Sequence, residues 1–219
     1  MSGTLNLPNS ITIGRIALAL VVGPMIMYDG FAMRLAGFIV FLAAAFSDLW
    51  DGHLARSRNL ITDFGKLMDP LADKLLLAAT FLPFYLLSHG WEPATPFPWF
   101  GRVLPVWVLV VIFGRELFIT LFRGFAAKRG VVLAAGNAGK LKAVFQNIFV
   151  GAAIFWYALH SAAREKGWIG MPSWDGMWVP FHRWFAIVTL AIAVILTVYS
   201  LGVYLNTFRS LNLSRREAP

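Results

Sequence analysis

The chain has 219 residues, 58% of them hydrophobic and only 14% charged, with a mean hydropathy of +0.68 and a net charge of +8. That balance excludes an ordinary soluble domain, so the cations are read for membrane topology and not as a nucleic-acid surface. The absence of cysteine excludes disulfides, thiolate metal sites and thiol nucleophiles, leaving oxygen and imidazole as the available metal donors.

A spanning helix needs roughly 20 mostly apolar residues. Stretches of this kind predict an all-α polytopic membrane protein, a single domain over 1–219 with six spans at 11–29, 32–51, 66–88, 103–123, 141–160 and 183–206. The first stretch, Ile11 to Tyr28, is read as a retained span because no Lys or Arg precedes it and no small-residue cleavage pattern follows. An even number of spans puts both termini on one side. If that side is cytoplasmic, it carries Arg56, Arg58, Lys66, Lys74, Arg123, Lys128, Arg129, Lys140, Lys142, Arg209, Arg215 and Arg216. The opposite side has only Arg34, Arg102, Arg164, Lys166 and Arg183, while Arg15 and Arg115 fall inside spans. The positive-inside rule therefore predicts cytoplasmic termini. Trp91, Trp99, Trp168, Trp174, Trp178 and Trp184 cluster in the opposite connections and are read as interfacial anchors.

The end of the second span, Ser47 to Arg56, and the start of the third, Gly65 to Asp73, hold the acids that carry chemistry. On helices, Asp48 and Asp51 are three residues apart, whereas Gly65, Asp69 and Asp73 follow at intervals of four, so each set shares one face. Four clustered carboxylates at the membrane boundary repel one another, and Arg56, Lys66 and Lys74 offset only part of that charge. Oxygen-only donors suit Mg²⁺ or Mn²⁺, and two such ions about 3.5–4 Å apart would balance the acids and polarise a phosphoryl group. Gly52, Ala55 and Gly65 allow close approach by a helix or a ligand, and Pro70 is expected to start or kink the third helix. His53, His89, His160 and His182 form no evident ligand set, and Asp29, Asp63 and Asp175 read as solvated loop or helix-end residues.

The pattern Asp48-x2-Asp51-Gly52-x2-Ala55-Arg56-x8-Gly65-x3-Asp69-x3-Asp73 resembles the signature of the CDP-alcohol phosphatidyltransferases at all eight specified positions over 26 residues. The resemblance extends over most of the chain, including the number of spans and the Asn9-Ser10-Ile11-Thr12 start of the first helix. It implies that Asp48, Asp51 and Asp69 are metal ligands, that Asp73 is both a ligand and the general base, and that Gly52, Ala55, Arg56 and Gly65 line the CDP-diacylglycerol site. Arg56 suits that role chemically, since a guanidinium grips phosphate oxygens in a bidentate manner. The family also implies a homodimer and, for a bacterial enzyme, the inner membrane with the site facing the cytoplasm.

Arg115 and Arg123 on the fourth span are eight residues apart, nearly on one face and about 12 Å apart along the axis. An intramembrane Arg is costly and usually functional. Together with Lys140, these residues resemble the acceptor-phosphate set of the phosphatidylglycerophosphate synthase branch, which implies sn-glycerol 3-phosphate as acceptor. A different acceptor in the same family (inositol phosphate, serine, phosphatidylglycerol or diacylglycerol) is the alternative. Intramembrane acids also mark ion transporters, but transport gives no reason for Gly52, Ala55, Arg56 and Gly65 at these spacings.

Overall fold

The computed structural model describes residues 6–57, 62–91, 95–128 and 137–216. Among these there are six long helices and no strand: α1 (Leu7–Met27), α2 (Phe31–Ser57), α3 (Asp63–Leu86), α4 (Val106–Lys128), α5 (Asn137–Glu165) and α6 (Val179–Arg216). Each predicted span falls on one of them. Five helical stretches are long and apolar enough to cross a membrane, namely Leu7–Met27, Phe31–Asp48, Leu67–Trp91, Gly139–Glu165 and Trp174–Thr207. The remaining span corresponds to α4, whose 23 residues carry Arg115, Glu116 and Arg123 among apolar neighbours. Helices outrun the predicted spans because polar residues continue a helix beyond the apolar stretch. At about 1.5 Å per residue, the 38 residues of α6 reach well past a hydrocarbon core of about 30 Å.

The termini of α1 and α3 have local causes. Asn6 caps α1 by accepting from the Asn9 amide at 2.9 Å, and Pro8 occupies the first turn, where its missing N–H costs nothing. Thr62 caps α3 by accepting from the Gly65 amide at 3.0 Å. Helix α3 thus starts at Asp63, and Pro70 lies inside it and does not begin it.

The chain divides into two compact units, Met1–Leu104 with Val150–Ala186, and Pro105–Phe149 with Ile187–Pro219. In the first, α1 packs against both α2 and α3. Gly23 is the close-approach point between α1 and α3, since a Cβ there would lie 3.0 Å from the Ala79 carbonyl oxygen. Phe81, Phe84, Phe97 and Tyr157 fill the interior, with Phe84 and Tyr157 stacked at 6.0 Å.

Asp29 is more than a solvated loop acid. It accepts from Arg164 at 2.6 Å and Ser161 at 3.2 Å, and it pairs with the fully buried Arg34 at 3.3 Å. Arg34 also donates to Ser161 at 2.7 Å and to the Ile26 carbonyl at 3.2 Å, so the turn between α1 and α2 is clasped to α5. The tryptophans divide as well. Trp91 and Trp184 are exposed as anchors must be, whereas Trp99 and Trp174 are buried, Trp174 against Trp156 at 6.1 Å. A tryptophan near a span end packs inward when an apolar partner is available, and the sequence does not show that partner.

Candidate active site

The polar face of α1 builds the first cluster. Asn9, Thr12 and Arg15 recur every three residues, share one face and are all buried. Asn9 accepts from the Thr62 hydroxyl at 3.0 Å, which ties the start of α1 to the start of α3. Gly65 lies at that junction, and a Cβ there would fall 2.9 Å from Asn9 Oδ1 and 3.3 Å from Thr62 Oγ1. A side chain at this position would displace the Asn9 and Thr62 side chains from each other, whatever else Gly65 does.

One turn further on, Thr12 donates to Asp69 at 2.8 Å. Arg15 then meets three acids from two helices: it is hydrogen-bonded to Asp48 on α2, and lies 3.6 Å from Asp69 and 3.4 Å from Asp73 on α3. The guanidinium is fully buried, whereas the three carboxylates remain roughly half exposed. The structure thus places Asp48, Asp69 and Asp73 around the Arg15 guanidinium, each with part of its side chain still exposed. Asp51, Gly52, Ala55 and Arg56 lie on α2 with side chains outside the described residues. Among the described residues no three acids or imidazoles lie close enough together to hold a metal ion. In donor chemistry, however, the converging set consists of carboxylate oxygens alone, which fits a hard divalent cation.

The second compact unit holds the other cluster. Arg115 is buried, donates to Ser200 at 3.2 Å and to Glu116 at 2.9 Å, and lies 5.8 Å from the Tyr204 ring centroid. Arg123 donates to the Tyr204 hydroxyl and lies 5.3 Å from the same ring. Two guanidiniums eight residues apart on α4 are therefore gathered on a single side chain of α6. Lys142, expected to be an ordinary cytoplasmic cation, is buried and paired with Glu116, whereas Lys140 is exposed. Gly139 lies beside Arg115, where a Cβ would be 3.8 Å from its Nη2.

Residues 5–201 match the family model described as CDP-alcohol phosphatidyltransferase. The chain belongs to this family. As a CDP-alcohol phosphatidyltransferase with membrane-crossing helices, it is an integral membrane transferase. It is 35% identical over 208 residues to the CDP-diacylglycerol--glycerol-3-phosphate 3-phosphatidyltransferase of Bacillus subtilis, covering 89% of this chain and 91% of that one. It is 33% identical over 149 residues to a probable phosphatidylglycerophosphate synthase of Mycobacterium tuberculosis, covering 67% of this chain and 64% of that one. It is also 31% identical over 218 residues to a cardiolipin synthase (CMP-forming) of rice, covering 92% and 57% respectively.

Within this phosphatidyltransferase, sequence reasoning missed Asn9, Thr12 and Arg15 as partners of the acids, and Ser200 and Tyr204 as partners of the arginines. Arg15 did carry a signal, because an Arg inside an apolar helix is costly wherever it occurs. The triplet spacing of Asn9, Thr12 and Arg15 would have pointed to a polar face on α1. Tyr204 carried none, since a tyrosine in a long apolar helix looks like lipid-facing or core material.

Proposed function

We propose that the protein transfers the phosphatidyl group of CDP-diacylglycerol to sn-glycerol 3-phosphate, giving phosphatidylglycerophosphate and CMP. The observation that carries this reading is the convergence of Asp48, Asp69 and Asp73 within the phosphatidyltransferase signature. The acceptor is argued from the gathered Arg115 and Arg123 and from the 35% identity with the Bacillus subtilis relative.

In this reading Asp48, Asp51, Asp69 and Asp73 hold divalent cations, Mg²⁺ or Mn²⁺, two per site. Such ions supply Lewis-acid stabilisation of charge on the phosphoryl and leaving oxygens. Asp73, the most exposed of the three described acids at 58%, takes the proton from the acceptor's 1-hydroxyl. The freed oxygen forms a bond to the β-phosphorus of CDP-diacylglycerol as the bond from that phosphorus to the bridging oxygen breaks, and the electron pair leaves with CMP. Gly52, Ala55, Arg56 and Gly65 line the CDP moiety. Arg115, Arg123 and Lys140 hold the acceptor phosphate, so catalysis rests mainly on positioning and electrostatics. The chain acts as one functional domain and a homodimer in a bacterial inner membrane, with its termini and active site on the cytoplasmic side.

The identity with the rice cardiolipin synthase keeps a different acceptor as the second reading. The deciding experiment gives purified enzyme labelled CDP-diacylglycerol and each acceptor in turn across a Mg²⁺ and Mn²⁺ titration. CMP release with glycerol 3-phosphate is expected. Product with another acceptor only would overturn the assignment of acceptor and leave phosphatidyl transfer standing. Asp73→Asn is expected to abolish turnover while CDP-diacylglycerol still binds; near-normal turnover would remove Asp73 as the base.

A further inference from the structure

Arg15 takes no part in the reaction proposed above, although it lies within ion-pair distance of Asp48, Asp69 and Asp73. Its side chain has no exposure, and burying a guanidinium is costly unless its partners repay the lost hydration. One carboxylate would serve that purpose. Arg15 instead meets three, and they come from two helices. Bringing three carboxylates to one place without a cation costs Coulomb repulsion, which water screens only in part at half exposure. The planar fork of Arg is suited to span several oxygens at once, which the point charge of Lys cannot do. On the same α1 face, Thr12 fixes a second side of Asp69 at 2.8 Å.

We propose that Arg15 is a positioning residue of the carboxylate array: it holds Asp48, Asp69 and Asp73 together before divalent cations bind, and its charge moderates how tightly they bind. The inference rests on the reading of these acids as a divalent-cation site. Arg15 and a divalent cation share the same oxygens, so each weakens the other's interaction with them. Removing Arg15 therefore harms the metal-free protein most, and added cation compensates. A purely structural arginine would cost the same stability with and without metal.

The test uses full-length wild type, Arg15→Gln and Arg15→Lys in detergent, without substrate. Melting temperature is measured in EDTA and along a MnCl2 titration, and bound Mn²⁺ is counted by electron paramagnetic resonance. Arg15→Gln is expected to melt below wild type in EDTA, with at least about half of that gap closed at saturating Mn²⁺ and Mn²⁺ bound about threefold tighter or more, because the two effects are linked. An equal gap in EDTA and in Mn²⁺ would overturn the proposal. Arg15→Lys keeps the charge and loses the fork. It is expected to melt below wild type in EDTA while binding Mn²⁺ within about twofold of wild type. This variant keeps the test decisive if Arg15→Gln does not fold, and identity with wild type in EDTA would overturn the proposal. A wild type that neither binds Mn²⁺ nor is stabilised by it overturns the metal reading itself, a failure visible without any variant.

Discussion

Gly65 shows how one residue can satisfy two readings. The resemblance assigns it to the CDP site, and the structure shows Asn9 and Thr62 occupying the space a side chain would need. Gly65→Ala places a Cβ 2.9 Å from Asn9 Oδ1, so the Asn9 side chain must shift and its bond from Thr62 is disturbed. Activity is expected to fall by about tenfold or more, from strain of about 1–3 kcal/mol. Asn9→Ala in the same chain should restore part of it, measured as a double-mutant cycle on kcat/KM. No recovery would indicate that Gly65 is needed for substrate contact alone. Asp29 is a second case. Asp29→Ala removes one carboxylate partner of the buried Arg34 and one acceptor of Arg164. The loss is expected to be about 1–3 kcal/mol, seen as a lower melting temperature with kcat nearly unchanged. The acids of the signature could be read from sequence because their spacing is local. Ser161 and Arg164, which hold Asp29 to α5, lie 132 and 135 residues from it, where no periodicity reaches.

At the scale of elements, α1 and α6 each bring one polar face to a cluster of charged residues. Helix α1 presents Asn9, Thr12 and Arg15, whereas α6 presents Ser200 and Tyr204 one turn apart. The face of α6 does for Arg115 and Arg123 what the face of α1 does for the acids. Tyr204→Leu removes both the hydroxyl acceptor and the ring, and it is expected to raise the KM for glycerol 3-phosphate about tenfold while the KM for CDP-diacylglycerol stays within about twofold. Tyr204→Phe keeps the ring, so its rise should be smaller, about threefold. Equal changes in both KM values would argue for general loosening of α6. The six helices were legible in sequence because a run of about 20 apolar residues is sufficient cause for a spanning helix. Their inward faces were not, since in an apolar chain nearly every face is hydrophobic and amphipathic contrast is weak. For that reason Trp99, Trp174 and Lys142 were expected at the membrane surface and are buried.

For the whole molecule, the arrangement of cations predicts cytoplasmic termini, and the absence of cysteine makes this simple to test. Ser10 and Ser173 are exposed positions at the start of α1 and between α5 and α6. In intact cells a membrane-impermeant maleimide is expected to label Ser173→Cys, and to label Ser10→Cys only after permeabilisation. The reverse pattern would invert the topology and place the carboxylates on the outer face.

The sequence by itself determined the membrane, the number of helices, the family and the acids of its signature. All of these depend on composition or on spacing within a few turns. Only the tertiary structure decided what stands against those acids. Arg15 reaches Asp48, Asp69 and Asp73 across 33 to 58 residues of sequence, through the packing of α1 on α2 and α3. A helix's spacing fixes which residues share its face, but only packing fixes what that face meets.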